Sequence, residues 1–138
     1  MKTKEQIFEF IEAQKVAFVA SVDEDGFPNM KAMLPPRKME DNCFYFTTNT
    51  SSMRVKQYLQ NNKASIYFFK KGRFRYEGVM LRGTMEVLAD EKSKQDIWKT
   101  GDTLYYRKGV TDPDYCVLRF TATEGRYYCD LKTESFDL

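Results

Sequence analysis

The sequence contains no histidine among its 138 residues. This absence excludes Ser-His-Asp triads, imidazole general bases and histidine-ligated metal sites. Any chemistry must therefore come from other side chains or from a bound cofactor. Long apolar runs are also missing: no stretch approaches the ~20 residues of a membrane span, and the charged N-terminus lacks the apolar core of a signal peptide. We therefore expect a soluble, cytoplasmic protein without a membrane partner.

Cysteine is scarce as well, with three residues at Cys43, Cys116 and Cys129. They are odd in number and widely spaced, and none forms a C-x-x-C pair. This pattern argues against a zinc site or a disulfide framework. We expect reduced, buried thiols and no metal.

The net charge is close to zero, because 22 basic and 20 acidic residues leave a formal charge of +2. Nucleic-acid binders that act through their bulk charge need a surplus of Lys and Arg, so this class is disfavoured. Apolar residues make up 42% and aromatic residues 15%, which is typical of a packed core rather than of a disordered chain. The length predicts one domain over residues 1–138.

The pattern of apolar residues predicts a mainly β protein with about three helices. Glycines at 78 and 83 predict a bend in a long strand, and Glu124-Gly125 predicts the turn of a final hairpin. Short turns favour antiparallel pairing, and closure into a small β-barrel with outer helices would leave no exposed sheet edge. The helices are expected over 4–14, 51–60 and 91–99, and Thr3 with Gln6 fits a capping box at the start of the first. The six or seven strands are expected over 16–22, 29–34, 43–48, 64–69, 76–88, 115–121 and 126–131.

The segment 44–56, Phe-Tyr-Phe-Thr-Thr-Asn-Thr-Ser-Ser-Met-Arg-Val-Lys, runs from a strand into the start of a helix. Backbone amides at a helix start lack internal partners and carry partial positive charge. Arg54 and Lys56 add positive charge there, although cations usually sit at the opposite helix end. Hydroxyls, amides and an arginine together suit a phosphate. A plain Ser/Thr cap followed by solvated charges explains the pattern equally well. The hydroxyl residues are Thr47, Thr48, Thr50, Ser51 and Ser52.

Two further segments contain candidate binding residues. In the strand over 29–34, Lys31 and Met33 share one face, and an outward lysine is the simpler interpretation. The segment 68–76, Phe-Phe-Lys-Lys-Gly-Arg-Phe-Arg-Tyr, interleaves bases with aromatic residues. Single-stranded nucleic-acid grooves use this combination, but a basic hairpin turn between two strands accounts for it as well.

Taken together, these motifs resemble a known family. The order helix, strand, Asp-Gly turn, Gly26-x-Pro28-x-x-Lys31-x-Met33 strand, Phe44-x-Phe46-Thr47-Thr48 strand and Ser52-x-Arg54 helix start is similar to the FMN-binding split-barrel proteins. These include the pyridoxamine 5'-phosphate oxidase-like and general stress protein-like flavoproteins. The resemblance implies a split β-barrel and a homodimer with FMN at the subunit interface.

The resemblance also implies roles for individual residues. Lys31 would approach the flavin or its phosphate, with Ala32 and Met33 along the ring. Ser52 and Arg54 would bind the phosphate at the helix start. The implied cofactor-binding set is Lys31, Ala32, Met33, Phe46, Thr47, Thr48, Ser51, Ser52, Met53, Arg54, Trp98 and Tyr106. Core or dimer packing is the alternative for Trp98 and Tyr106.

The implied function is an FMN-dependent oxidoreductase acting on a small molecule, with reduced nicotinamide as a candidate electron donor. Met53 stands where the vitamin B6 oxidases carry a base, and their C-terminal Arg-x-His element is missing. Oxidation of vitamin B6 phosphates is therefore not expected. No residue is assigned as a catalytic acid or base. The alternatives are a non-catalytic, stress-linked flavin-binding protein and, more remotely, a single-stranded nucleic-acid module.

Overall fold

Three helices and eight strands form the protein, which we describe over residues 2–138 of a computed structural model. The helices are α1 (Lys4–Glu12), α2 (Met53–Gln60) and α3 (Glu91–Ile97). The strands are β1 (Ala17–Val22), β2 (Pro28–Met33), β3 (Lys38–Glu40), β4 (Cys43–Asn49), β5 (Lys63–Lys71), β6 (Tyr76–Leu88), β7 (Tyr115–Cys129) and β8 (Lys132–Asp137).

All eight strands belong to one antiparallel sheet in the order β2-β1-β5-β6-β7-β4-β3, with β8 paired to β7. Met33 on β2 and Met39 on β3 lie at opposite ends of this order, yet both pack against the same core. The sheet therefore curls around a single apolar interior, which confirms the predicted mainly β fold.

Alternation along the strands decides which side chains enter the interior. In β4, Phe44, Phe46 and Thr48 are buried, while the residues between them are half-exposed. Two helices cover the interior: α1 contributes its apolar face, and α2 contributes Val55 and Tyr58. The interior side of the sheet is called the inner face below, and the opposite side the outer face.

The predicted start and bend signals are confirmed. The capping box at Thr3 is complete, with Gln6 donating its amide to Thr3 Oγ1 at 3.2 Å. Gly26 adopts a φ of 83° in the β1–β2 turn, a conformation that favours glycine. The register between β6 and β7 shifts at Arg82/Gly83, where the bend was expected.

The predicted hairpin turn at Glu124-Gly125 is wrong, because β7 runs unbroken through it. Gly125 is buried there, and a Cβ would overlap Phe136 and Leu81. This glycine therefore serves a close packing contact rather than a turn. The chain reverses instead at Asp130 and Leu131, whose φ angles are 51° and 65°, and then forms β8.

Several boundaries also differ from the sequence prediction. Strands β3 and β8 were not predicted, and the two strands expected over 115–121 and 126–131 form one continuous strand, β7. Helix α2 begins at Met53 rather than 51, because Ser52 is its extended N-cap residue. Helices α1 and α3 end at Glu12 and Ile97, each about two residues early.

A second apolar cluster lies on the outer face of β4 and β7. It consists of Ile97, Tyr106, Tyr115 and Val117, with Trp98 and Tyr45 against it. The loop after α3 forms two short 3-10 turns over this cluster. A two-bond ion pair holds the loop: Arg37 donates to both carboxylate oxygens of Asp102, at 3.0 and 2.6 Å.

Within residues 2–138, no helix has both the length and the hydrophobicity to cross a membrane.

Candidate functional site

The predicted phosphate-binding segment lies at the junction of β4 and α2. Ser52 caps the helix by accepting from the Val55 amide at 3.4 Å. Asn49 donates to the Ser51 hydroxyl at 3.1 Å, and the Ser51 amide donates to Asp114 Oδ1 at 2.9 Å. The amides of Ser51 and Val55 are therefore already used, which leaves the amides of Met53 and Arg54 at the open end of the helix.

Arg54 is the principal charged group at this junction. It is half-buried, and its Nη2 donates to Thr48 Oγ1 at 3.0 Å. Its Nε is buried without a hydrogen-bond partner, and no carboxylate of residues 2–138 lies within 4.0 Å of it. A guanidinium removed from water without a counter-charge is costly, so this arrangement favours an anionic ligand.

Lys31 lies on the same side of the sheet as this junction. It pairs with Val19 across β2 and β1, and paired residues project to one face. Val19 enters the core that also contains Val55 of α2. Lys31 is exposed on the β2 edge and makes no ion pair within residues 2–138. Its charge is thus available on the face that α2 covers.

The neighbours of Lys31 are divided between the two faces. Met33 shares the inner face and packs against the core, whereas Ala32 pairs with Phe18 on the outer face. The two predicted ring contacts therefore cannot line one surface through their side chains. Met53 is 73% exposed at the start of α2, which leaves it accessible.

The three residues of β4 that were predicted to contact the cofactor also lie in different environments. Phe46 is buried in the core, so only its backbone is available to a ligand. Thr48 faces inward to Arg54, while Thr47 faces outward toward the Tyr106 hydroxyl. Burial raises the pKa of Tyr106, and the hydrogen bond with Thr47 opposes that shift.

Trp98 and Tyr106 lie in the outer apolar cluster and not at the start of α2. Their ring centroids are 6.2 Å apart, and Trp98 packs edge-on against Tyr115 at 5.1 Å. Within one chain these side chains form core contacts. Their predicted contribution to a flavin held by a second subunit stays a prediction.

Sequence reasoning missed two hydrogen bonds that position α2. Ser21 donates to Gln57 Oε1 at 2.5 Å, and the Tyr58 hydroxyl donates to the Ala20 carbonyl at 2.9 Å. Both contacts tie the helix to β1. Burial raises the pKa of Tyr58 well above its ordinary value. The signal available in the sequence was Gln57, a polar residue among the apolar residues on the buried face of the helix.

The remaining reactive groups are outside this site. Cys43, Cys116 and Cys129 are free thiols, and burial raises the pKa of Cys116. Among residues 2–138, no cluster of three or more Cys, Asp or Glu side chains could hold a metal ion.

Comparisons with known proteins agree with this fold. A family model described as pyridoxamine 5'-phosphate oxidase matches residues 3–129. A crystal structure from Clostridium acetobutylicum, a protein related to general stress protein 26 of Bacillus subtilis, is 39% identical with a TM-score of 0.86. The match covers 97% of this chain and 93% of that one. General stress protein 26 from Bacillus anthracis has a TM-score of 0.78 at 19% identity, with both chains fully covered, and supports the fold alone.

Curated relatives match over a shorter range. The pyridoxine/pyridoxamine 5'-phosphate oxidase of Rhizobium leguminosarum bv. trifolii is 37% identical over 75 residues. This match covers 54% of the present chain but 35% of that enzyme, so the chain aligns with about a third of the length of such relatives. The family match nevertheless extends over almost all of this sequence. The chain belongs to the pyridoxamine 5'-phosphate oxidase family.

Proposed function

We propose that this chain is a flavoprotein that binds FMN, and that the phosphate of FMN binds at the β4–α2 junction. The observation that carries the proposal is the half-buried Arg54 guanidinium, which has a neutral hydroxyl as its partner and an unpartnered Nε. Family membership supports the choice of ligand, because the motifs of this chain resemble those of FMN-binding split-barrel proteins, which include the pyridoxamine 5'-phosphate oxidase-like flavoproteins.

Arg54 would neutralise the phosphate, and Thr48 holds the guanidinium in position for it. Charge-assisted hydrogen bonds of this kind are roughly twice as strong as neutral ones. Lys31 supplies a second positive charge on the same face of the sheet, and the open amides of α2 add further donors. The backbone of β4 at Phe46 and Thr47 offers edge contacts to a ring.

When bound, FMN supplies the hydride and electron transfer that no side chain of this protein can perform. The protein's own contribution is to bind, orient and shield the group. We further propose a homodimer in which the flavin lies between two copies, with Trp98 and Tyr106 as candidate contacts from the second copy.

The proposed activity is oxidoreduction of a small molecule, with reduced nicotinamide as the donor to be tried first. The chain has no histidine for the substrate contact of the vitamin B6 oxidases, so a substrate other than a vitamin B6 phosphate is proposed. A flavin carrier or scavenger without turnover would use the same pocket. Sustained NAD(P)H consumption with an added acceptor distinguishes an enzyme from a carrier.

The binding proposal is tested by titrating flavin-stripped protein with FMN and with riboflavin, followed by flavin fluorescence. The two ligands differ only in the phosphate. Preference for FMN by about 100-fold is expected from two charge-assisted hydrogen bonds. Equal binding would remove the phosphate site, and no binding of either would remove the flavin.

A further inference from the structure

Two turns lie side by side at one end of the sheet. The β5–β6 turn spans residues 72–75, and the β7–β8 turn consists of residues 130–131. Their strands are neighbours, because β6 pairs directly with β7. Arg75 joins the two turns: its Nε donates to Cys129 Sγ at 2.9 Å and lies 3.6 Å from Asp130 Oδ2. We call this end of the molecule the paired tips, which comprise residues 70–76 and 129–132.

Each of the two turns carries an apolar side chain that faces solvent. Phe74 and Leu131 are both 90% exposed, more than any other large apolar residue within residues 2–138. Leu131 also has a φ of 65°, a conformation that favours glycine. Packing within the chain explains neither residue, because a side chain that buries so little surface contributes almost nothing to folding. Two such side chains on adjacent turns indicate a contact with something outside the chain.

Positive charge surrounds both apolar side chains. The paired tips contain five basic residues and one acidic residue, although the whole chain has a net charge of +2, so the rest of the chain is net negative. Asp130 pairs with Arg75, whereas the other four basic residues form no ion pair within residues 2–138. All four are exposed: Lys70, Lys71, Arg73 and Lys132. The paired tips therefore present uncompensated positive charge around two apolar groups.

The opposite end of the sheet is acidic. The β1–β2 turn contains the sequence Asp23-Glu24-Asp25. Pairing of Phe18 with Tyr67 and of Ala20 with Ser65 places this turn beside the start of β5, whereas the paired tips lie beyond its end. The nine residues of β5 separate the two ends by roughly 30 Å. An anionic surface would therefore attract the paired tips and repel the acidic turn, which favours one orientation of the molecule.

The β4–α2 junction lies away from the paired tips. Asn49 at the end of β4 pairs with Tyr115 at the start of β7, whereas the paired tips include Cys129 at the end of β7. Trp98 and Tyr106 of the outer apolar cluster also pack against Tyr115. A partner bound at the paired tips would thus cover neither region. An inference about the paired tips is therefore independent of the proposed flavin.

We infer that the paired tips bind the surface of an anionic lipid membrane. Phe74 and Leu131 would enter the boundary between headgroups and acyl chains, where the apolar side chains of interfacial proteins lie. The four unpaired cations would lie at the level of the lipid phosphates, where each Lys or Arg adds to binding. Their aliphatic stems can remain beside the apolar region. Binding of this kind needs no membrane-spanning run, and the sequence expectation of no membrane partner rested on the lack of such a run.

Single-stranded nucleic acid is the other polyanion that the sequence suggested, for the segment 68–76. Its bases would stack on aromatic rings, of which Phe74 could supply one. Leu131 has no ring on which a base could stack, yet it is as exposed as Phe74. An aliphatic and an aromatic side chain on adjacent turns favour contact with an apolar phase. A lipid surface accounts for both side chains, and a nucleic acid accounts for only one.

The inference is tested by flotation of the wild-type chain with vesicles of phosphatidylglycerol and phosphatidylcholine in equal parts. Vesicles of phosphatidylcholine alone should bind it at least about tenfold more weakly, because they lack the negative charge. On the anionic vesicles, K71E/R73E should lower the partition coefficient by about tenfold or more. F74S/L131G should lower it by a similar factor, because it removes both apolar side chains and leaves the charges.

Two matched variants control for general effects of charge and hydrophobicity. K92E/K108E reverses two exposed lysines outside the paired tips. L59S/L104S removes two exposed leucines, one on α2 and one on the loop after α3. Both variants should bind the anionic vesicles as the wild type does.

Insertion of the apolar side chains is tested separately with Phe74→Trp. Trp98 is the only native tryptophan and lies outside the paired tips. Anionic vesicles should therefore leave the emission of the wild type unchanged. In the variant, the emission should shift to shorter wavelength and should be quenched by brominated acyl chains. An unshifted spectrum in a variant that still binds vesicles would overturn the assigned insertion.

The remaining outcomes separate the alternatives. A wild-type chain that stays unbound to anionic vesicles would overturn the inference, whatever the result of the FMN titration. Equal binding of the wild type, K71E/R73E and F74S/L131G would overturn it as well, because the paired tips would then make no contact. If the wild type binds a single-stranded oligonucleotide but no vesicle, and K71E/R73E loses that binding, the site is a nucleic-acid site and the inference fails.

Discussion

Arg54 donates a hydrogen bond to Thr48 at 3.0 Å and so joins the first turn of α2 to the end of β4. A buried threonine hydroxyl is a neutral acceptor for a guanidinium, and the charge itself remains uncompensated within residues 2–138. Positive charge in the first turn of a helix is also unfavourable for that helix. This local cost is the structural reason for expecting an anion here.

Arg54→Met is expected to separate binding from stability. The substitution keeps an aliphatic side chain but removes the unpaired charge. The free energy of unfolding of the flavin-free protein should therefore change by less than about 1 kcal/mol. FMN affinity should fall by about 10- to 100-fold. Urea unfolding and fluorescence titration measure the two quantities.

The control for this variant is Arg119→Met. Arg119 donates to both Glu86 oxygens, at 3.3 and 2.9 Å, in a partly exposed pair. Its loss should cost at most about 1 kcal/mol and leave FMN affinity unchanged. Loss of several kcal/mol in Arg54→Met with intact FMN binding would contradict the assigned role of Arg54.

Asp102→Asn is expected to destabilise the protein by about 2 kcal/mol at pH 7, because it leaves the partly buried Arg37 charge without its partner. Burial alone would raise the pKa of Asp102. The hydrogen bonds from Arg37 and from the Lys99 amide, together with the positive charge of Arg37, have the larger effect and lower this pKa. The pair therefore contributes fully above about pH 4, the unfolded value, and its contribution is lost as pH falls through the lower native pKa.

The difference in unfolding free energy between wild type and Asp102→Asn should consequently shrink in acid. Denaturant titrations at neutral pH and below the unfolded carboxylate pKa measure it. A difference that stays constant between the two pH values would show that the loop is held by packing rather than by the charge.

Leu131→Gly is expected to stabilise the protein. Leu131 has a φ of 65° and a side chain that is 90% exposed, so it gains little from burial and adopts a conformation that favours glycine. Relief of this strain should raise the free energy of unfolding by about 1 kcal/mol. The exposed Leu104, which has no positive φ, is the matched control, and Leu104→Gly should destabilise. Equal losses in both variants would refute the assigned strain.

Gly83→Ala is expected to destabilise strongly. A Cβ at this position would overlap the Thr121 carbonyl at the register shift between β6 and β7, and backbone cannot move aside cheaply. A loss of about 3 kcal/mol or more in unfolding free energy follows from such overpacking. Thr84→Ala, one residue away, should cost far less. Near-wild-type stability of Gly83→Ala would show that the register can shift.

Much of the fold could be predicted from the sequence because its signals are local. The Thr3 capping box, the Asp25-Gly26 turn and the alternation of β4 each depend on neighbouring residues. Gly125 shows the limit of such signals, since a glycine needed for contact with Phe136 has the same local appearance as a turn glycine. The Asp130-Leu131 reversal carries no glycine at all, so no turn was predicted there.

The residues of the candidate site could be predicted from the sequence, whereas their contacts and relative positions could be predicted only in part. The Ser52 cap and the position of Arg54 follow from adjacent residues. The use of the Ser51 amide by Asp114 depends on a contact 63 positions away, which no local pattern reveals. The separation of Thr47 from Thr48, onto opposite faces of β4, follows from strand alternation once the strand is placed.

We propose above that Arg54 recognises the phosphate of FMN. The most direct measurement is the ratio of riboflavin to FMN dissociation constants in the wild type and in Arg54→Met. We expect a ratio of about 100 in the wild type and a fall of at least tenfold in the variant, because only the phosphate contact changes. A ratio that is the same in both proteins would show that Arg54 does not contact the phosphate.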